Sequence, residues 1–275
     1  MQNVMNRVRT IGHGGLGVVS LYQTVDGYQY AVKTMKHVWD NTLYERFKRE
    51  IEIMGNLIHK NIVKIINYSV INQNPWYVMP FFKDGSLRDK MLNMQSEGKV
   101  YSVGGAASII YYLADALAHA HSKNIIHRDL KPENILFNGH EPMIADWGLG
   151  KFIYRQSSVL TAAGLGTKTY CAPEQWDSGM ADHRSDIYSL GVMFRELISG
   201  TTHGTVAHNQ VNAIINKMTM MSPSDRYQSM AEVMQAIRSL EIVNVANPMQ
   251  EFWEGAAKVA VGVGLVILLA KIFEG

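Results

Sequence analysis

The sequence predicts an α+β fold in two lobes, a strand-rich first part and a helical second part. Three observations carry that prediction. Over the first hundred residues, short apolar runs separated by turn residues outnumber a single helical pattern. Beyond Gly85 apolar residues recur every three or four positions in several long segments. A length of 275 residues suits two small domains or one bilobed domain with a sizeable core.

The strand part begins with the alternating run 17–23, the turn pair Asp26-Gly27 and a second run over 28–35, which together read as a hairpin. A helix is expected over 41–58, because Leu43, Phe47, Ile51, Met54 and Ile58 share one face and Asn41 or Thr42 can cap it. Residues 62–67 and 76–82 read as two further buried strands around the turn Asn72-Gln73-Asn74-Pro75. Helices then follow over 86–95, 106–121, 186–199 and 230–240. The resulting division is 1–82, 83–242 and a tail over 243–275.

Composition excludes several functional classes. With 47% hydrophobic and 18% charged residues and only 7 prolines, the chain is neither disordered nor fibrous. A net charge of +2 gives no surface for nucleic acid, so none is expected as a partner. The single cysteine, Cys171, rules out an intrachain disulfide and a cysteine-based zinc site, and reads as a small packing residue. Residues 1–9 lack an apolar core, so no secretory signal is expected and the working part is expected in the cytoplasm.

Chemistry gathers in a few stretches. Gly12-His13-Gly14-Gly15-Leu16-Gly17 fits G-x-G-x-x-G, a pattern shared by dinucleotide-binding turns and other glycine-rich loops. A dinucleotide fold needs a helix next, whereas Val18-Val19-Ser20-Leu21-Tyr22 is β-branched and aromatic, so these glycines sit in a hairpin. Such a loop can lay backbone N–H groups over phosphates, with Val19 against an apolar base. Lys33 faces the same side of its strand as Ala31, and Glu50 on the helix is its natural partner, because a half-buried ammonium is costly alone. His127-Arg128-Asp129-Leu130-Lys131-Pro132-Glu133-Asn134 and Asp146-Trp147-Gly148 add a base, cations and groups able to hold a metal. His13, His119, His121, His203 and His208 show no metal-ligand context and receive no role.

With these motifs in this order, residues 8–240 resemble the eukaryotic-type serine/threonine protein kinase family. Gly166-Thr167 before Ala172-Pro173-Glu174, Asp186 and Arg226 extend the resemblance. It implies a bilobed kinase-like fold and transfer of the γ-phosphate of ATP to Ser or Thr hydroxyls of proteins, with Mg²⁺. It implies that Asp129 receives the acceptor's proton, that Lys131 and Thr167 mark the serine/threonine type, and that Lys33 with Glu50 holds the α/β-phosphates. Asn134 and Asp146 are the implied metal ligands. Ile11, Gly12, Gly14, Gly15 and Gly17 would cover the nucleotide. Val19, Ala31, Met79 and Leu136 would sandwich adenine, and the connecting stretch at Pro80 and Phe82 would bind its edge.

The resemblance also implies an Arg128 satisfied by a phosphorylated segment, with Ser157, Ser158 or Thr161 as the site, modified by a transient second copy of the chain. Glu174 and Arg226 would form a buried pair, and Asp186 would support the catalytic-loop backbone. Two other classes stay open: a catalytically silent ATP-binding scaffold and a small-molecule phosphotransferase. Four departures from the pattern stand out. Trp147 replaces the usual phenylalanine and is expected to pack near Met54 and His127 and restrict Asp146, and 200–226 is short, so its helices are expected to be trimmed. Ser86 stands where an acidic contact is common, which leaves basic substrate preference unsupported. Finally, residues 252–273 carry the charge-free run 259–270 and would extend about 33 Å as a helix, either a membrane anchor or a helix packed on protein.

Overall fold

A computed structural model of the chain describes residues 5–36, 40–71, 74–147, 169–177, 181–199 and 206–240. They form two compact units, one holding 5–58 with 63–82 and the other 59–62 with 83–240. The expected tail helix over 252–273 and the candidate phosphorylation sites lie outside the described residues.

The first unit is an antiparallel sheet with one helix. Strands β1 (Met5–His13), β2 (Gly17–Thr24), β3 (Gln29–Met35), β4 (Asn67–Ser69) and β5 (Trp76–Pro80) are ordered β1-β2-β3-β5-β4. The β2–β3 turn forms where Asp26-Gly27 predicts it, with Gly27 at φ 87°, a conformation that glycine adopts without steric penalty. Side-chain alternation then divides β3 between two faces. Val32 is on one of them, packed with Met5, Trp76 and Val78. Ala31 and Lys33 are on the other, paired across the ladder with Met79 and Tyr77.

Helix α1 (Asn41–Asn56) covers that second face, burying Phe47, Glu50, Ile51 and Met54. The Phe47 and Tyr77 rings lie 5.5 Å apart. The cap differs from expectation: Asp40 takes that position, its carboxylate accepting the N–H groups of Thr42 and Leu43. A carboxylate there also opposes the positive end of the helix dipole.

Gly17 is required by close approach. A Cβ at that position would sit 2.4 Å from the Thr34 carbonyl oxygen on β3, a backbone atom that cannot rotate away. Gly17→Ala is therefore expected to cost about 1–3 kcal/mol of stability. Gly15→Ala, where a Cβ meets nothing within 4 Å, serves as the control. Urea midpoints measure both, and equal midpoints would contradict the packing argument.

The second unit is built on α3 (Val103–Ser122), whose Ala106, Ile110, Leu113, Leu117 and Ala120 are all fully buried. Before it stands α2 (Leu87–Ser96), closed at its N-terminus by a capping box between Ser86 and Asp89. After it come residues 127–134 and the hairpin β6 (Ile135–Asn138) with β7 (Glu141–Ile144). Helices α4 (Pro173–Asp177), α5 (His183–Leu197), α6 (Val206–Met218) and α7 (Met230–Arg238) complete the unit, with α3 against α5, α6 and α7.

Two expectations are corrected. Residues 62–66 form no strand of the sheet. Ile62 instead bridges to Ile144, and Asn61 is tied to the hairpin by Ile144 N–H on its carbonyl at 2.9 Å and by its own Nδ2 on the Pro142 carbonyl at 2.8 Å. The strand expected over 76–82 ends at Pro80. The segment after Gly200 holds the thirteen-residue α6, whose Val211, Ile215 and Met218 are fully buried. Strand β1 was not foreseen, and two register shifts interrupt its pairing with β2. Among the described residues no helix is long and apolar enough to cross a membrane.

Candidate active site

In the first unit the strand–helix arrangement brings together the cation and carboxylate that the sequence pairs. Lys33 Nζ is 2.7 Å from Glu50 Oε1, with the two side chains 3% and 0% exposed. The Tyr77 hydroxyl donates to the same oxygen at 2.9 Å. Breaking such a pair is costly because it leaves a buried charge behind, so the ammonium is held in one place. Val19 pairs with Lys33 and Ala31 with Met79, so an apolar surface and a fixed cation share one sheet face. Ile11 and Gly12 stand near the end of β1, and Gly14 N–H donates to the Gly17 carbonyl at 2.9 Å across the turn. A Cβ at Gly12 or Gly14 would meet nothing nearer than 3.8 Å, and one at Gly15 nothing within 4 Å. The bare backbone of this loop is thus open to a ligand such as a phosphate chain. Pro80 ends β5 and Phe82 is half-buried just beyond it.

In the second unit residues 127–134 form a hydrogen-bonded loop. Asp129 Oδ2 lies 2.9 Å from Lys131 Nζ and 3.3 Å from Asn134 Nδ2, which also donates to the Asp129 carbonyl at 2.8 Å. With Nδ2 committed to the loop, the carbonyl oxygen of the Asn134 side chain is the group left to bind a cation. Asn134 accepts the Ala145 N–H on its backbone carbonyl at 2.8 Å, joining the loop to the stretch that carries Asp146. Asp146 has φ 58° and Arg128 φ 69°, left-handed conformations that cost non-glycine residues about 1–3 kcal/mol.

Asp186 holds that strained turn. It is fully buried in α5 and accepts His127 N–H and Arg128 N–H, each at 2.9 Å. It is not the helix cap, a position taken by Asp182. His121 Nε2 donates to the same carboxylate at 2.8 Å, a contact that the sequence reading missed. Burial alone would raise the Asp186 carboxyl, but His121, His127 and the Arg128 N–H more than offset it and hold it below the ordinary range. His127 Nε2–H donates to the Ala145 carbonyl at 3.0 Å, and its ring meets Trp147 edge-on at 4.9 Å. Trp147 is fully buried, its indole N–H on the Ile144 carbonyl at 3.3 Å.

The segment 169–177 is anchored as firmly. Glu174 and Arg226 pair in two parallel contacts of 2.8 Å, and Ser185 donates to Glu174 at 2.7 Å. Burial raises the Glu174 carboxyl, and these partners bring it below the usual carboxylate range. Gln175 Nε2 reaches the Arg128 carbonyl at 3.1 Å, tying α4 to the loop 127–134. Cys171 Sγ meets the Ala172 carbonyl at 3.6 Å. Leu136 is half-buried on β6, and Thr167 lies outside the described residues. Among the described residues no cluster of three or more His, Cys, Asp or Glu could hold a metal by itself. Any cation at Asn134 and Asp146 must share its remaining positions with water or substrate oxygens, which suits Mg²⁺ bound with a polyphosphate.

A family model for the protein kinase domain matches residues 5–254. The chain therefore belongs to the protein kinase family. Its relatives include the LRR receptor-like serine/threonine-protein kinase FEI 2 of Arabidopsis thaliana, 33% identical over 71% of this chain and 33% of that protein. Another is the serine/threonine-protein kinase pkn2 of Myxococcus xanthus, 34% identical over 70% of this chain and 24% of that protein. Both relatives are named serine/threonine-protein kinases, and the chain spans about a quarter to a third of their length. The fold is that of the Mycobacterium tuberculosis PknI kinase domain, with a TM-score of 0.65 at 22% identity over 87% of this chain and 99% of that one.

Proposed function

We propose that this chain transfers the γ-phosphoryl group of ATP to serine or threonine hydroxyls of proteins. The observation that carries the reading is the catalytic loop: a carboxylate, Asp129, fixed between Lys131 and Asn134, on a strained turn held by the buried Asp186. Phosphoryl transfer needs little covalent help from the protein; it needs an in-line nucleophile and compensation of charge. Asp129 orients the acceptor hydroxyl and takes its proton, and Lys131 neutralises charge beside it. Lys33, pinned by Glu50, binds the α/β-phosphates. The glycine loop, with Ile11 before it, covers them. Val19, Ala31, Met79 and Leu136 take the adenine, with Pro80 and Phe82 at its edge. Asn134 and Asp146 hold Mg²⁺, which supplies the positive charge that the phosphates require. Thr167 adds to the serine/threonine preference.

The same reading has a second copy phosphorylating Ser157, Ser158 or Thr161, and it puts the domain in the cytoplasm with attachment through residues 252–273. The test is transfer of labelled γ-phosphate from ATP with Mg²⁺ to a mixed protein acceptor, in the wild type and in Lys33→Met. Losing the ammonium is expected to lower transfer at least 10²-fold, in the range for one removed charge-stabilising group. Label on a small metabolite with none on protein would overturn the protein-kinase reading. ATP binding without transfer would favour a silent scaffold.

A further inference from the structure

The buried pair of Lys33 and Glu50 has a third member. Tyr77 stands directly across the β3–β5 ladder from Lys33, so both side chains leave the sheet on the face that α1 covers. Its hydroxyl donates to Glu50 Oε1 at 2.9 Å, the same oxygen that takes Lys33 Nζ at 2.7 Å. The ring is fixed as well: Tyr77 is 1% exposed, 5.5 Å from the Phe47 ring of α1, with Lys33 Nζ 5.6 Å from its centroid. Two donors from two strands therefore converge on one carboxylate oxygen of the helix. A carboxylate held by one ammonium can turn about its own side-chain torsions and carry the ammonium with it. Held from two strands, it cannot turn without taking an acceptor from a buried hydroxyl and a buried cation at once, and bonds to charged groups are the costly ones to lose. Phenylalanine would fill the same space and supply no second donor.

We propose that Tyr77 is a positioning residue for the nucleotide-binding lysine: its hydroxyl fixes the Glu50 carboxylate and, through it, the place of the Lys33 ammonium. Tyr77 acts through these two side chains and not on the nucleotide itself. Lys33 is then set in the free chain, so that receiving a phosphate costs little reordering of its long side chain. The proposal rests on the reading above that Lys33 binds the α/β-phosphates, and its test separates the two.

The affinities of ATP with Mg²⁺ and of adenosine, which has the base and ribose without the phosphates, are compared by calorimetry on the full 275-residue chain. Binding is read whether or not phosphate moves. Lys33→Met is expected to lower the ratio of ATP to adenosine affinity about tenfold or more. Tyr77→Phe, which keeps the ring, is expected to lower it about three- to tenfold and to leave adenosine affinity unchanged. Adding Tyr77→Phe to Lys33→Met should change the ratio no further, because a residue that acts through Lys33 then has nothing to position. A folded Tyr77→Phe chain with the wild-type ratio overturns the proposal, and so does an additive loss in the double variant. A Tyr77→Phe chain that fails to fold assigns the hydroxyl to stability and overturns it too. If Lys33→Met keeps the wild-type ratio, the phosphate-binding reading of Lys33 fails and this proposal falls with it.

Discussion

Asp129→Asn is expected to slow phosphate transfer by about 10²–10⁴-fold, the range for removing a positioned base. The prediction is sharp because stability should hardly change. Asp129 pairs with Lys131, 23% exposed, at 2.9 Å, and a partly exposed pair of this kind contributes about 0–1 kcal/mol. Asparagine keeps a side-chain oxygen able to accept from Asn134 and Lys131, so the loop is retained while the proton acceptor is lost. Nucleotide affinity, measured by calorimetry, should match the wild type. Loss of ATP binding together with transfer would mean that Asp129 acts on the fold and not on the acceptor.

Asp186→Ala is expected to have the largest effect on stability, about 3–5 kcal/mol, the cost of taking one partner from a buried charged network. Three donors lose their acceptor at once: His127 N–H, Arg128 N–H and His121 Nε2. Arg128 would also be free to leave φ 69°, and the adjacent Asp129 would move with it. Activity should then fall about 10²-fold even in fully folded protein, as expected for a misplacement near 1 Å. The pH dependence follows from the direction of the Asp186 shift. Its carboxyl lies below the ordinary value of 3.8 in the folded chain, so its stabilisation is complete well above that value and is lost as pH falls through the folded one. The gap in urea midpoint between wild type and Asp186→Ala should be full at neutral pH and close below about pH 4. A gap that widens in acid would contradict the assignment.

What the sequence reveals of this molecule depends on how far apart its partners lie. Lys33 and Glu50 could be paired from the period of two on β3 and the period near four on α1, because each element writes its own facing into the sequence. The loop 127–134 was legible as a unit for the same reason of nearness. Asp186 could be given its role only by resemblance, since the N–H groups it accepts come from residues 59 and 58 positions earlier. His121 was passed over because a lone histidine on an alanine-rich helix carries no sign of a carboxylate 65 residues away. Strand β1 escaped because its exposed Asn6, Arg7, Val8 and Arg9 break the alternation and its register slips twice. By contrast α6 carries a helical period in Val211, Ile215 and Met218, all from one short segment.

The most direct test of the account is phosphosite mapping by mass spectrometry after the 275-residue chain is incubated with ATP and Mg²⁺, with Asp129→Asn alongside. The account predicts phosphoserine or phosphothreonine in the wild type and an unmodified variant. Equal modification of both, or a wild type that binds ATP and never transfers phosphate to itself or to any protein, would contradict it.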